Sequence, residues 1–321
     1  MVSPADGSRF PSATVVIPTY NRLPTLRRVV EAVRGQRVPE DLRFDAVVVD
    51  DGSSDGTWSW LVAQQDDGLT ALRQENAGPA RARNRGVHQA TGEIVLFLGD
   101  DTTPSPYWLL EHLEEHRLHG GDHRLAVIGY TGFPTQDDTP FARWINEHGA
   151  QFGYLLIDRP RDVPFNFLYT SNLSLPRRPL LAQGGFREDF PAAAWEDIEL
   201  AYRLRADGLR IVYQPRARTV HRHRVRPWTF CRRQRTSGRS AAIFARLHPE
   251  LSDFLAVPQG REFRRRTGAR TTALALSVEL ADLLRIQLPD GMYRRLIDRA
   301  YLAGLAEGLH RAGAEEDRSC T

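Results

Sequence analysis

The sequence predicts an α/β fold, a mostly parallel sheet flanked by helices, followed by a helical C-terminal extension. Three observations predict it. A β-branched run at 14–17 and apolar runs at 46–49 and 94–98 have strand composition, the continuous one at 46–49 that of a strand buried on both faces. Helical segments, Leu23–Arg34 by its apolar spacing and 79–90 by Pro79 in its first turn, alternate with those runs. Each run empties into polar or acidic residues, and in an open α/β sheet the crevice beyond the strand ends is where ligands sit.

The elements follow in order. The first strand is ended by Pro18, with Thr19, Tyr20, Asn21 and Arg22 at its carboxyl end. Leu26, Val29, Val30 and Val33 then form one helical face, stopped by Gly35. The second strand ends in Asp50-Asp51-Gly52-Ser53-Ser54-Asp55-Gly56, and 58–65 reads as a short helix before a short strand at 69–72. Pro79 suits the first turn of the next helix. The 94–98 run stops at Gly99-Asp100-Asp101 and is closed off by Pro104. Two carboxylates there are poised to hold a hard divalent cation, although taken alone such a pair more often marks a solvated loop or a helix cap.

The segment 106–118 continues as a helix bearing His112, His116 and, just beyond it, His119, which read as neutral surface histidines with metal ligation as the alternative. A strand at 125–130 precedes 132–164, an irregular, aromatic-rich stretch of the kind that binds ligands. An alternating strand at 172–175, a turn at Gly184-Gly185-Phe186, and a helix start at 195–204 with acids in its first turn come next. Extended runs at 210–213 and 220–223 lead to helices near 230–247, 271–286 and 292–310. Flexibility is expected for 1–12 and disorder for 313–321.

The chain has 321 residues, 41% hydrophobic and 26% charged, which suits a globular protein able to bury a full core. It contains no lysine, so all 43 basic residues are arginine, a residue suited to bidentate phosphate and carboxylate recognition. The net charge of +3 provides no broad footprint for nucleic acid. Cys231 and Cys320 give neither metal spacing nor a disulfide framework, which fits a reducing cytoplasm. No leader and no long apolar span are evident, so a cytoplasmic location is expected, with peripheral contact at the inner face of the membrane left open.

Several segments, in order, resemble a family: Val15-Val16-Ile17-Pro18-Thr19-Tyr20-Asn21-Arg22, Val48-Val49-Asp50-Asp51-Gly52-Ser53-Ser54-Asp55-Gly56-Thr57, Asn76-Ala77-Gly78-Pro79-Ala80-Arg81-Ala82-Arg83-Asn84, Leu96-Phe97-Leu98-Gly99-Asp100-Asp101, Ser171-Asn172-Leu173-Ser174-Leu175, Gly184-Gly185-Phe186 and Trp195-Glu196-Asp197-Ile198-Glu199-Leu200. Together they resemble the inverting glycosyltransferases of family 2, with the GT-A (Rossmann-like) fold. The resemblance implies a catalytic domain at 13–226, with a nucleotide-binding half at 13–104 and an acceptor half at 105–226, and leaves 227–312 as the helical extension. It implies a hexosyltransferase moving one sugar from a nucleotide-diphosphate sugar, foremost a UDP-sugar, to a hydroxyl of a glycan, lipid-linked or small-molecule acceptor. Mn²⁺ or Mg²⁺ is the implied cofactor.

Residue by residue, the resemblance assigns the nucleotide to Pro18, Thr19, Tyr20, Asn21, Asp51, Gly78, Arg81, Arg83 and Asp100. Asp51 would accept hydrogen bonds from the base or ribose, with capping of the next turn as its alternative. Arg81 and Arg83 would approach the base or diphosphate, with plain surface arginines as theirs. The family's metal motif is Asp-X-Asp, and Gly99 stands at its first position here. Members with an adjacent pair imply Asp100 at the ribose or a metal-bound water and Asp101 on the cation. His221, chosen over His223, would be a further ligand, or else a structural histidine. Glu196-Asp197 matches the base motif. Neighbours on a helix point about 100° apart, so one of the two faces the substrate. By the motif the resemblance implies that this one is Asp197, with Glu196 at the acceptor, and favourable first-turn charge is the alternative for both. Asn172, Gly185 and Trp195 would line the sugar and acceptor pocket, Trp195 stacking on a pyranose or packing in the core.

Past Arg226 the resemblance thins. The basic stretch 222–239 could clamp the diphosphate, meet a phosphorylated or lipid-linked acceptor, touch an anionic membrane, or be a solvated helix face. The processive signature Gln-X-X-Arg-Trp is missing, because Gln234 is followed by Arg235-Thr236-Ser237-Gly238, so single-sugar transfer is expected. Two readings compete. Ser54-Asp55-Gly56-Thr57 resembles a phosphatase nucleophile loop, but Ser53 stands where a further aspartate is needed. A catalytically idle GT-A-like nucleotide-binding module is favoured by Gly99 and opposed by the intact Asp100, Asp101 and Asp197. Donor sugar, acceptor identity and oligomeric state are not legible in one chain.

Overall fold

A computed structural model describes residues 9–149, 151–263 and 268–319. In chain order its elements are β1 (Ala13–Thr19), α1 (Leu23–Arg34), β2 (Phe44–Asp50), α2 (Thr57–Val62), β3 (Leu69–Arg73), α3 (Pro79–Gln89), β4 (Ile94–Leu98), β5 (Thr102–Pro104), α4 (Trp108–Leu118), β6 (Leu125–Gly132), α5 (Pro140–Glu147), β7 (Asn172–Pro176), α6 (Arg177–Ala182), α7 (Glu196–Ala206), β8 (Arg210–His221), α8 (Pro227–Leu247), α9 (Val257–Glu262), α10 (Gly268–Leu283) and α11 (Asp290–Ser319). They fall into two units, and the division is not linear along the chain. The first comprises 1–134, 154–188 and 196–223, and the second 135–153, 189–195 and 224–321. The helical unit thus takes in 135–153 and 189–195 as well as the residues from 224 onward.

The first unit holds an eight-stranded sheet in the order β3-β2-β1-β4-β7-β6-β8-β5. Strands β3, β2, β1 and β4 run parallel, as the continuous apolar runs require, and β7 pairs antiparallel with both β4 and β6. Alternation along β1 separates two apolar layers. Val15 and Ile17 pack with Leu26, Val29, Val30 and Val33 of α1 and with Trp108 and Leu109 of α4. Val16 packs on the other face with Ala80 and Val87 of α3 and with Leu200 and Leu204 of α7. The chain winds outward from β1 through β2 to β3 and then returns to place β4 on the other side of β1. The β1/β4 junction is thus the switch point, where a crevice opens beyond the strand ends.

Three departures from the sequence reading have physical causes. The runs at 210–213 and 220–223 are one strand, β8, whose parallel pairing with β6 changes register between Gly129 and Tyr130. Pro215 lies in the interrupted stretch, and a proline cannot donate to the ladder, so the pattern reads as two strands. Within 132–164, read as irregular, lies α5, whose Thr139 cap accepts the Ala142 N–H at 3.2 Å. Eight residues are too few for periodicity to declare a helix. The terminus expected to be disordered from Gly313 is helical through Ser319. At the other end, residues 1–8 of the segment expected to be flexible lie outside the described residues, whereas Ser12 is tied by its N–H to Glu93 at 3.0 Å.

The histidine reading is also corrected. His112 and His116 are fully buried, not at the surface. His112 bridges Ser174 (2.9 Å) and the Asn172 side-chain oxygen (2.8 Å), and His116 reaches the same Ser174 hydroxyl at 2.9 Å. Burial pushes His112 down to about 4 and, helped by its neighbouring histidines, His116 down to about 3. Both are neutral in the fold, whereas the unfolded chain takes up their protons as pH drops through about 6.5. Stability should therefore decline below that pH by up to about 1.4 kcal/mol per pH unit for each histidine, until the folded values are reached. Urea melts at pH 7 and pH 5 compared between wild type and His116→Asn would measure it. An unchanged pH dependence in the variant would refute the assignment.

The second unit is helical. Phe141 of α5 meets Phe230 of α8 and Tyr293 of α11 at ring distances of 5.7 Å, and the buried Asp282 carboxylate of α10 accepts the Phe141 N–H at 2.9 Å. Among the described residues no helix is long and apolar enough to cross a membrane.

Candidate active site

At the switch point the ends of β1 and β4 place opposite chemistry side by side. Thr19 Oγ1 donates to Asp100 Oδ2 at 2.8 Å, and the Arg22 guanidinium lies 2.5 Å from Asp101 Oδ2 and 3.9 Å from Asp100 Oδ1. His221, the last residue of β8, brings Nε2 to 3.2 Å from Asp101 Oδ1, because β5 pairs Thr102 with His221. Burial and the Asp101 charge push Asp100 up to about 6. Burial acts upward on Asp101 too, but His221 and Arg22 outweigh it and hold that carboxyl well below the usual range. Gly99 explains the departure from Asp-X-Asp in steric terms. A Cβ there would stand 2.7 Å from Thr102 Oγ1, inside the tight turn that carries the two aspartates.

The residues fit a divalent cation. A carboxylate oxygen suits either Mn²⁺ or Mg²⁺, and an imidazole nitrogen beside it favours the transition metal Mn²⁺. Their 3.2 Å separation matches the edge of about 3 Å expected of an octahedron with bonds of about 2.1 Å. The protein supplies a partial set, since no group of three or more such side chains is gathered among the described residues. A partial set leaves coordination positions for other oxygens, as phosphates and water would provide.

Beside this cluster, Asp51 holds a loop. Its Oδ1 accepts from Gln74 Nε2 (2.8 Å) and the Ala77 N–H (2.9 Å), and its Oδ2 from the Gly78 N–H (2.9 Å). The capping alternative thus takes a specific form, in which Asp51 fastens the turn into α3 while the neighbouring, fully buried Asp50 accepts the Ser53 N–H. Tyr20 is half exposed next to Thr19, Pro18 stays in the strand, and Asn21 adopts a left-handed φ of 51° while its side-chain oxygen accepts the Ser54 N–H at 2.8 Å. Asp55, the residue of the phosphatase-like alternative, is spent on the Thr57 and Leu23 N–H groups, both at 3.1 Å.

The paired acids of α7 form the other half. Asp197 Oδ2 accepts from the Thr170 N–H at 3.2 Å and Oδ1 lies 3.0 Å from the Ile198 N–H. Thr170 immediately precedes Ser171, whose carbonyl accepts the Gly99 N–H at 3.4 Å, so Asp197 and the aspartate turn belong to one neighbourhood. Burial, and then the charge of Glu196, push Asp197 above the usual carboxylate range, against the pull of Arg83 and the two N–H donors. Glu196 is paired at 2.7 Å with Arg83, whose guanidinium lies 5.5 Å from the Phe186 ring centroid. Glu196 Oε2 and Arg83 Nε are buried without a hydrogen-bond partner, an opening for a polar ligand group.

The fold gives five of the expected residues specific positions. Arg83 is buried and faces Glu196, not the surface. Arg81 is largely exposed, 3.9 Å from Glu188. Asn172 does not line a pocket. It is 1% exposed, its amide nitrogen donates to the Ala217 and Tyr130 carbonyls, and its oxygen accepts from Trp108 Nε1 at 2.7 Å. Gly185 is a turn residue with φ +71°, where a Cβ would meet Asn84 Oδ1 at 2.4 Å. Trp195 belongs to the second unit. There its Nε1 donates to the Ser237 carbonyl at 3.1 Å and its ring lies against Phe244, Phe254 and Tyr301. The sequence reading missed Arg22 as partner of both aspartates and Thr170 as the support of Asp197. Position at a strand end could have pointed to Arg22, whereas no local signal marks Thr170.

Comparison with known proteins bears on family and fold. The profile of glycosyl transferase family 2 matches residues 14–174. The pre-mycofactocin glycosyltransferase of Mycobacterium tuberculosis is 30% identical over 265 residues, covering 80% of this chain and 52% of that protein. Validoxylamine A glucosyltransferase of Streptomyces hygroscopicus subsp. limoneus is 32% identical over 237 residues, 65% of this chain and 51% of its own. The chain thus spans about half the length of these curated relatives. In fold it is similar to a mannosyltransferase of Pyrobaculum calidifontis in complex with GDP-Man and Mn²⁺, at 22% identity and a TM-score of 0.59 over 96% of this chain and 90% of that one. It is also similar to S. aureus TarS 1-349 in complex with UDP, at 19% identity and a TM-score of 0.54 over 94% and 92%. The motifs in order, the sheet with its switch-point acids and the profile match over half the chain lead to one conclusion: the chain belongs to glycosyl transferase family 2, on a GT-A fold.

Proposed function

We propose that this chain is an inverting, divalent-cation-dependent glycosyltransferase that moves a single sugar from a nucleoside diphosphate sugar, foremost a UDP-sugar, to an acceptor hydroxyl. One observation carries the reading: Asp100, Asp101, Arg22 and His221 meet at the β1/β4 switch point, within reach of the loop that holds Asp197. Neighbours solved with UDP, and with GDP-Man and Mn²⁺, support a nucleotide and a cation in such a crevice.

In this reading Thr19, Tyr20, Asn21 and the Asp51-fastened loop through Gly78 enclose the nucleoside, with Arg81 at the loop's solvent side, and Asp100 faces the ribose. Asp101 and His221 would hold Mn²⁺ or Mg²⁺, which supplies a Lewis acid that neutralises charge on the departing diphosphate. Arg22 adds a fixed positive charge beside the same phosphates. Asp197 accepts the proton of the acceptor hydroxyl as that oxygen attacks the anomeric carbon from the face opposite the nucleotide, giving inversion in one displacement. The raised basicity of a partly desolvated carboxylate suits that role. Glu196, oriented by Arg83, offers its unpartnered Oε2 to the acceptor.

Asp197 must be ionised to act, and its carboxyl is pushed up to about 6. The rate should therefore rise with pH through that region and flatten above it. A rate independent of pH from 5 to 8 would remove Asp197 from the role. Nucleotide class is read by thermal shift with UDP, GDP, dTDP and CDP, each with and without Mn²⁺. A ligand at about 100 times its dissociation constant stabilises by roughly 2.7 kcal/mol, a readable shift. One nucleotide should shift the melting temperature and do so more strongly with metal, and Asp101→Asn should remove the metal-dependent part. Nucleotide binding with no turnover on any acceptor would favour the idle module instead.

A further inference from the structure

The helical unit carries a feature that donor chemistry leaves unused. Residues 224–321 contain 18 arginines against 11 carboxylates, although the whole chain nets only +3. Helices α8, α9, α10 and α11 surround a groove of about 1230 Å³ lined by Arg232, Arg235, Arg239, Arg261, Arg299 and Arg311. Glu307 is the carboxylate among the lining residues, and it is engaged with Arg235 Nε at 2.9 Å and Arg239 Nε at 3.0 Å. Among the described residues Arg232, Arg261 and Arg311 have no carboxylate partner. Trp228, Phe263 and Leu309 give the same groove apolar walls. Cationic rims over apolar walls match a phosphate head joined to a hydrocarbon chain, and the groove far exceeds the size of a free phosphate.

Helix α10 adds a second, independent observation. Thr271, Thr272 and Ala275 turn toward the groove, and Val278, Ala281 and Asp282 turn inward. The strip next to the groove-lining face on the helical wheel is Leu276, Leu280, Leu283 and Leu284, exposed by 58 to 72%, and Ile286 just beyond is 51% exposed. A run of exposed leucines beside a row of arginines is the pattern of a helix lying in a bilayer interface. A second copy of the chain fits this face less well, since joining two leucine strips would bring two arginine grooves together. Nucleic acid has no use for the leucines.

We propose that the helical unit docks on an anionic lipid surface, with the α10 leucine strip entering the interfacial layer and the arginine groove seating a lipid phosphate. The reading is independent of the transferase activity, and so is its test. The whole protein is co-sedimented with vesicles of phosphatidylcholine alone and with vesicles containing phosphatidylglycerol, at low and high salt. Binding should require the anionic lipid and weaken with salt. Arg232→Gln and Arg261→Gln should each weaken it about fivefold, and Leu280→Gln with Leu283→Gln about tenfold or more. These side chains are exposed, so the variants should keep the wild-type melting temperature. Equal binding to both vesicles, or to neither, overturns the proposal. So does concentration-dependent dimerisation that Leu280→Gln abolishes without vesicle binding, and so does binding of a soluble short-chain lipid phosphate by a protein that ignores vesicles.

Discussion

Asp197→Asn should lower the transfer rate by about 10²- to 10⁴-fold, the range a positioned general base supplies, while leaving nucleotide affinity unchanged. Asparagine keeps the shape of the side chain and one acceptor oxygen, and its neutrality matches the burial that already disfavours charge there. The nucleotide loop rests on Asp51 and Gly78, which Asp197 does not touch. Loss of turnover should thus separate from loss of binding, read as kcat from initial rates and Kd from calorimetry. Turnover at the wild-type rate would sink the base assignment, and a parallel collapse of nucleotide binding would recast Asp197 as a structural residue.

Arg83→Met should produce the largest loss of stability, about 3–5 kcal/mol, because it strands the Glu196 carboxylate in a buried site. Arg83 and Glu196 are 8% and 2% exposed and 2.7 Å apart, so water cannot replace the missing cation. A second effect follows from the same charge. Arg83 holds the Asp197 value down, and without it Asp197 gains a proton more readily, so the acid limb of the rate profile should move to higher pH. The double variant Arg83→Met with Glu196→Gln removes the stranded charge and should recover most of the stability. Urea denaturation of wild type, Arg83→Met, Glu196→Gln and the double variant gives the cycle. If the single variant is as stable as wild type, the pair is not the support argued here.

The strand-end acids and the paired acids of α7 were legible because they are local. Asp100, Asp101 and Asp197 each sit where a strand or helix begins or ends, and those boundaries are written in short-range composition. Partners were not legible. Arg83 looked like a nucleotide ligand or a surface residue, and only the packing of α3 against the α7 side of the sheet brings it to Glu196, 113 positions away. Asn172 and His112 looked like site and surface residues for the same reason, since their hydrogen bonds join β7 and α4, elements far apart in sequence.

By itself the sequence determined the order of strands and helices, the parallel core with acids at its strand ends and the family, because hydrophobic period and motif spacing are properties of neighbours along the chain. The tertiary structure decided which charges meet. It gave Arg22 and His221 to Asp101, Arg83 to Glu196 and Thr170 to Asp197, and it gathered the arginines of three helices around one groove. Those pairings depend on distances across the sheet and between helices, and electrostatic interaction and burial act through space, not along the chain.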